Sequence, residues 1–269
     1  MNLNDLKTAH STPLENLEGI SKNLARDDRS QDGENKIINY IFNNLNITPK
    51  YAVEFGAGSV GSARNPLELI LPEFKWKRKC YRNGTAMIQW FNLLHNCECL
   101  FFEVNKGKIN KRDPRFREMM KIEPINSSNV NEIYKKYNVP EDLDINIIDV
   151  DGQDFWIWKN LNYNAKVVLV EFNSFLGYEQ SVTMHQDDNH WEWRDTNCAY
   201  FGASIEAFKR LGESKGYSLV YRTKRNLVFV QNKYVKNSFD TKEIYDLQGC
   251  TENRQTFKNE PKWVEISLK

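Results

Sequence analysis

The stretch INIIDVDGQDFWIW, residues 145–158, decides how the chain is read. A run of β-branched apolar residues ends in two aspartates, a glycine and a third aspartate, then turns aromatic and apolar at helical spacing. Ile145, Ile147, Ile148 and Val150 suit a strand buried on both faces. FWIWKNL (155–161) suits a helix, with Asp154 as its N-cap. Asp149 and Asp151 alternate about Val150, which puts both on one side of the strand end. A carboxylate at the end of a buried strand is costly unless it is paired, hydrogen-bonded or metal-bound. Two uses therefore compete. The pair orients ligands or serves as a base, or it holds a divalent metal through oxygen ligands.

Downstream, KVVLVEF (166–172) is a second buried strand, and it places Glu171 and Asn173 on one side of its end. With Asp149 and Asp151 they are expected to line one crevice. The aromatic and polar loop 173–197 carries His185, Asp187, Asp188, His190, Trp191 and Trp193. A loop of this length in a compact domain is commonly a lid or a binding loop. A histidine there can act as a base near neutral pH, and tryptophans can wall an acceptor pocket. Residues 199–215 read as a helix closed by Gly216. YSLVYRT (217–223) and RNLVFVQ (225–231) form a hairpin.

Upstream, residues 1–30 are polar and read as a loosely attached arm. Asp32 precedes a helix marked by Ile37, Ile38, Ile41, Phe42 and Leu45. YAVEF (51–55) is a strand stopped by GAGSVG (56–61), and CLFFEV (99–104) is a second. Helices are expected near 65–73, over 85–94, and from Asp113 with Pro114 at its first position. KWKRK (75–79) reads as a basic surface segment. Residues 121–125 suit a short third strand and 129–137 a helix. Strands alternating with helices, then two strands in succession, give an α/β, doubly wound, mostly parallel sheet with an antiparallel strand near its end. In such sheets ligands bind beyond the carboxyl ends of the strands.

Composition narrows the function classes. The 269 residues carry 37 basic and 36 acidic side chains, a net charge of +1, which does not favour a general electrostatic nucleic-acid binder. Nothing in the sequence reads as a membrane span or a signal peptide. Five cysteines without CxxC spacing read as reduced thiols in a cytoplasmic protein. Gly56, Gly58 and Gly61 let the backbone turn tightly and approach a ligand. Glu54, just before them, suits a cationic ligand group better than a pyrophosphate. Glu103, at the end of the second strand, can accept hydrogen bonds from both ribose hydroxyls.

KYAVEFGAG, LFFEVN, INIIDVDGQDFWIWKNL, AKVVLVEFNS and YFGASIEAFKRLGESKGYSLV, in this order, resemble FkbM-type and related class I S-adenosylmethionine-dependent methyltransferases over residues 31–230. The resemblance implies a Rossmann-like sheet of seven strands with S-adenosylmethionine over the first of them. It implies that Glu54, Gly56, Ala57 and Gly58 meet the methionine part, Glu103 the ribose, and Asn126 and Ser127 the adenine. Asp149 and Asp151 would sit beside the methyl group and the acceptor, with Mg²⁺ a further candidate ligand of the pair. Asp149, Asp151 and His185 are then the catalytic candidates, and Glu171, Asn173, His190 and Trp191 the acceptor-side residues. The expected product is an O-methylated sugar or other small hydroxyl compound. The chain divides on this reading into an arm (1–30), a methyltransferase domain (31–235) and an extension (236–269). Three alternatives remain: a metal-dependent glycosyltransferase using Asp149-Val150-Asp151 as a DxD site, an RNA methyltransferase using KWKRK and 112–117 on phosphate, and a Rossmann-like binding domain without turnover.

Overall fold

The structure, a computed structural model, describes residues 1–12, 30, 32–56, 96–104, 118–188, 200–235, 239–248 and 262–267. Its elements in chain order are α1 (Leu3–Ser11), α2 (Glu34–Leu45), β1 (Tyr51–Phe55), β2 (Glu98–Glu103), β3 (Met120–Ile122), α3 (Val130–Lys136), β4 (Ile145–Ile148), α4 (Asp154–Asn160), β5 (Val167–Glu171), β6 (Val182–Thr183), α5 (Ile205–Ser214), β7 (Tyr217–Arg222), β8 (Asn226–Gln231), α6 (Thr241–Tyr245) and β9 (Val264–Glu265). Seven strands form one sheet in the order β3-β2-β1-β4-β5-β8-β7. β8 is antiparallel to β5 and to β7, whereas the pairs β1–β2, β2–β3 and β4–β5 are parallel. The fold is the α/β, doubly wound, Rossmann-like, seven-stranded mostly parallel sheet that the alternation predicts, and the final hairpin supplies the antiparallel strands.

The chain divides into two compact units, Asn2–Pro124 and Ile125–Lys269 with Met1. In the first, β1 and β2 pair from Tyr51 with Glu98 to Phe55 with Phe102, and Glu103 faces Ile122 of β3. The strand cores, such as Val53, Phe101 and Phe102, are buried, as continuous apolar strands require. Where the sequence suggests a loose arm from residue 1, the structure has a helix. Leu3, Leu6 and Ala9 recur at helical spacing and are buried, and Asn2 caps the helix by accepting from the Asp5 amide at 2.9 Å. His10 Nε2 lies 2.7 Å from the Asp32 carbonyl oxygen, and Lys36 Nζ donates to the His10 carbonyl at 2.7 Å, so α1 is tied to the start of α2. Gly33, one residue after Asp32, is the N-cap of α2. β3 begins and ends earlier than residues 121–125. The helices expected at 65–73 and at 85–94, the KWKRK segment and residues 113–117 of the helix expected over DPRFREMM lie outside the described residues, and at the end of that stretch Met120 already belongs to β3.

In the second unit α3 and α4 fall where the sequence places them, within a residue or so of each end. Trp158 projects from α4 into an aromatic cluster, its ring centroid 4.8 Å from Phe229, 5.7 Å from Tyr217 and 6.3 Å from Phe208. α5 is shorter than the expected 199–215. Ser204 caps it by accepting from Ala207 N at 3.2 Å, and just before the cap Ala203 bridges Thr183 in a short antiparallel contact. That strand-like pairing removes the residues before 205 from the helix. The segment 236–269 contributes α6 and β9, and β9 pairs with β6. Among the described residues no helix is long and apolar enough to cross a membrane.

Close packing yields a sharp test at Gly212 on α5. A Cβ there would stand 2.7 Å from Phe229 Cε1 and 3.2 Å from the Trp158 ring, both in fully buried side chains that cannot swing away. Gly212→Ala should therefore cost about 1–3 kcal/mol by overpacking, against the gain that alanine normally brings in a helix. Urea denaturation of wild type and variant measures it. A stabilised variant would refute this packing.

Candidate functional site

Each unit brings acidic residues to strand ends. In Asn2–Pro124, Glu54 is 2% exposed and Glu103 is 4% exposed, on the adjacent strands β1 and β2. Glu103 Oε1 accepts from the Val104 amide at 2.9 Å. Gly56 follows β1 with φ 64, the left-handed backbone that starts a tight turn. Ala57, Gly58 and Gly61 lie outside the described residues. Burial pushes the nearby Cys99 thiol well above its ordinary range, and the Glu54 charge adds to the effect.

In Ile125–Lys269 the acidic turn departs from simple strand alternation. β4 ends at Ile148, and Asp151 adopts φ 58 with Gly152 at φ 132. Gly152 is the residue that such a backbone demands, since a side chain is strained there. Asp149 and Asp151 nonetheless come together, and Glu171 from the end of β5 joins them. One carboxylate oxygen of each lies within 4.8 Å of those of the other two. Two oxygens bound to one Ca²⁺ at 2.3–2.6 Å stand at most about 5 Å apart, so this donor set fits a hard cation. At that separation two ionised carboxylates repel by on the order of 3 kcal/mol at an effective dielectric of about 20. Burial, then the charges of Asp149, Asp154 and Asp151, push the Glu171 carboxyl well above its ordinary range, and Arg225 partly opposes them.

Asp154 is not the cap of α4. Gln153 occupies that position without a side-chain bond to the helix. The Asp154 carboxylate turns back instead, accepting from Val150 N through Oδ1 and from Gly152 N through Oδ2, each at 2.9 Å. It is 1% exposed, and desolvation raises its pKa to about 7, although those amide bonds pull it down.

The loop that begins at Met184 docks beside this turn. Gln153 Nε2 donates to the Asp188 carbonyl at 2.6 Å and reaches the His185 carbonyl at 3.4 Å. Trp156 Nε1 donates to the Met184 carbonyl at 2.9 Å, and Gln186 Nε2 to Ser127 Oγ at 3.0 Å. Tyr200, buried, accepts from His185 N and donates to Asp188 Oδ2 at 2.6 Å. The His185 side chain is 52% exposed. Its Nδ1 accepts from the Asp187 amide at 3.3 Å, so the neutral ring carries its proton on Nε2. His190, Trp191 and Trp193 lie outside the described residues.

Other site candidates have structural employment. Asn126 Oδ1 accepts from Ser128 N, Ser128 Oγ and Asn129 N, which holds the start of α3. The Ser127 carbonyl accepts from Asn160 Nδ2 at 3.0 Å. Asn173 is fully buried, donating to the Phe201 carbonyl and accepting from Phe175 N. Glu171 belongs with the aspartate pair rather than with Asn173. The signal for it was present in the sequence, since β4 and β5 are parallel neighbours that end at Ile148 and Glu171. Gln153 and Asp154 were masked by their resemblance to an ordinary helix start.

No protein-family model matches the chain, and no curated protein sequence matches it. Among solved structures it is similar to the MycE methyltransferase from the mycinamycin biosynthetic pathway, in complex with Mg and SAH, with a TM-score of 0.41 and 11% identity over 90% of this chain and 57% of that one. It is also similar to CalO1, a methyltransferase in calicheamicin biosynthesis in its SAH-bound form, with a TM-score of 0.35 and 11% identity over 85% of this chain and 67% of that one. The chain thus spans little more than half the length of the first.

The Asp154 carboxyl links the turn to pH. Its folded pKa, about 7, stands above the unfolded value near 3.9. The stability it contributes is therefore full below about 4 and is lost as pH rises through about 7. Asp154→Asn should flatten the fall in melting temperature between pH 5 and pH 8 in metal-free buffer. An unchanged slope would show that this carboxyl ionises normally.

Proposed function

We propose that the chain is an S-adenosylmethionine-dependent methyltransferase acting on the oxygen of a sugar or another small hydroxyl acceptor. The observation that carries this reading is the buried pair Glu54 and Glu103 at the carboxyl ends of the adjacent parallel strands β1 and β2. They sit in a sheet whose order runs 3-2-1-4-5. An acidic side chain at the end of the second strand of such a sheet suits the two hydroxyls of a ribose. Glu54, beside the turn at Gly56, suits an ammonium group and would repel a pyrophosphate. The donor set thus fits the amino-acid and ribose parts of one sulfonium nucleoside.

S-adenosylmethionine, when bound, supplies an electrophilic methyl group for in-line displacement. The residues of the chain then bind, orient and accept a proton. On this reading Glu54 with Gly56, Ala57 and Gly58 would hold the methionine end, Glu103 the ribose, and Asn126 and Ser127 would meet the adenine. Asp149 would lie on the side of the methyl group. Holding the reacting atoms in line is worth far more than any added chemical group in such a transfer. Asp149 or Asp151 takes the acceptor's proton, and these carboxylates suit the role better than His185, whose Nδ1 is engaged by Asp187 N. Glu171, Asn173, His190 and Trp191 complete the acceptor side. Asp149, Asp151 and Glu171 are the residues that would hold a divalent cation such as Mg²⁺, which would lower the acceptor's pKa.

The carboxylate cluster also favours a second reading, a metal-dependent glycosyltransferase that grips a nucleotide-sugar through a cation. Manganese-dependent binding of a nucleoside diphosphate, without binding of S-adenosylmethionine, would decide for it.

S-adenosylmethionine at about 100 times its dissociation constant should stabilise the protein by about 2.7 kcal/mol, a rise of several degrees in melting temperature. Glu103→Ala should abolish the rise. Asp151→Asn should keep it and slow release of S-adenosylhomocysteine over a panel of hydroxyl acceptors by about 10²–10⁴-fold. No rise at millimolar ligand would remove the cofactor reading.

A further inference from the structure

We propose that Asp154 is a positioning residue, whose buried carboxylate grips the peptides on either side of Asp151 and so sets Asp149 and Asp151 against Glu171. The catalytic meaning of that grip rests on the methyltransferase reading above, but the grip itself does not.

The geometry is specific. Oδ1 takes Val150 N and Oδ2 takes Gly152 N, each at 2.9 Å, so one side chain holds both flanks of a single residue. That residue, Asp151, has φ 58, a left-handed conformation that strains most side chains and that aspartate tolerates better than most, and the two bonds hold it there. Asp151 itself is exposed, so packing does not impose it, whereas Asp154 is buried at the start of α4 and anchored by the helix. The carboxylates of Asp149, Asp151 and Glu171, within 4.8 Å, oppose this arrangement by their like charge, and an ungripped turn would let Asp151 move away from the other two. The next residue, Gln153, extends the same device by holding the Asp188 carbonyl at 2.6 Å. A plain N-cap would bond forward into its helix. The bonds of Asp154 to Val150 N and Gly152 N run backward into the acidic turn, and its own amide adds to the hold on the carboxylate.

Asparagine at 154 keeps the size and removes the charge. Its amide oxygen can take one of the two N–H groups, but its NH₂ then faces the other, donor against donor. Burial of a neutral group offsets the lost bond, so the fold should survive while the turn relaxes.

The test compares wild type with Asp154→Asn on three measurements: melting temperature, Mn²⁺ binding followed by loss of the free-ion EPR signal, and the ¹H–¹⁵N amide shifts of Val150, Asp151 and Gly152. The expected result is a melting temperature within a few degrees of wild type, Mn²⁺ affinity weaker by tenfold or more, and amide changes confined to the turn and the end of β5. Unchanged Mn²⁺ affinity with unchanged amides would overturn the proposal. Should wild type take no Mn²⁺, the amide shifts alone decide in the same two directions. Should Asp154→Asn fail to fold, hydrogen exchange in wild type decides: slow exchange at Val150 and Gly152 supports the grip, and exchange at the rate of a free peptide overturns it. Failure of the S-adenosylmethionine shift in wild type would sink the functional reading while leaving all of these measurements interpretable.

Discussion

The hydrogen bonds that Val150 and Gly152 give to one buried carboxylate decide the shape of the acidic turn. A strand that ends in aspartates would ordinarily splay them into solvent, where repulsion is screened and hydration is full. Here the backbone is held in a left-handed step and the carboxylates are kept together beside Glu171. The cost appears in the protonation equilibria, since both Asp154 and Glu171 are pushed toward their neutral forms by burial.

That arrangement needs rigid support, and the aromatic packing under α4 provides it. Trp158 meets Phe229, Tyr217 and Phe208, which come from β8, β7 and α5. Phe155, one residue after Asp154, packs edge-on against Phe208 at 5.7 Å. The first turn of α4 therefore cannot rotate to release Asp154 without opening the apolar core. Precision at the turn comes from a helix clamped at several points along one face, and α4 has only 7 residues.

The sheet was legible because its strands are continuous apolar runs, and a run such as VVLVE has no other stable place than between two helical layers. Helix boundaries were legible where caps are local, as at Gly216 after α5. They were misread where a distant partner competes, as at 199–204, since Ala203 pairs with Thr183, 20 positions earlier, before Ser204 caps the helix. α1 is hidden in the sequence because its apolar stripe is three residues wide in a polar segment, and its partner α2 lies beyond a long intervening stretch. At the site, residue type was legible but geometry was not. Asp149, Asp151 and Glu171 stand out as acids at strand ends. The sequence alone could not show that Asp151 leaves the strand alternation, or that Asp154 bonds backward, because both depend on the three-dimensional course of four peptide units.

The C-terminal segment extends the same logic to the loop bearing His185. Arg222 at the end of β7 is buried between the rings of Phe172 and Tyr245, 5.0 Å from each, and donates through Nη1 to the Tyr245 carbonyl at 2.9 Å. Tyr245 in turn donates to the Ser174 carbonyl at 2.9 Å, which fixes the chain just past Glu171. Farther on, β9 pairs with β6, and Trp263 stacks edge-on against Tyr200 at 4.8 Å. Tyr200 is the residue whose hydroxyl holds His185 N and Asp188. Tyr245, β9 and Trp263 thus join residues after 240 to Ser174, to β6 and to Tyr200. Among the described residues, Tyr245 and Trp263 brace the chain past Glu171 and the loop held by Tyr200.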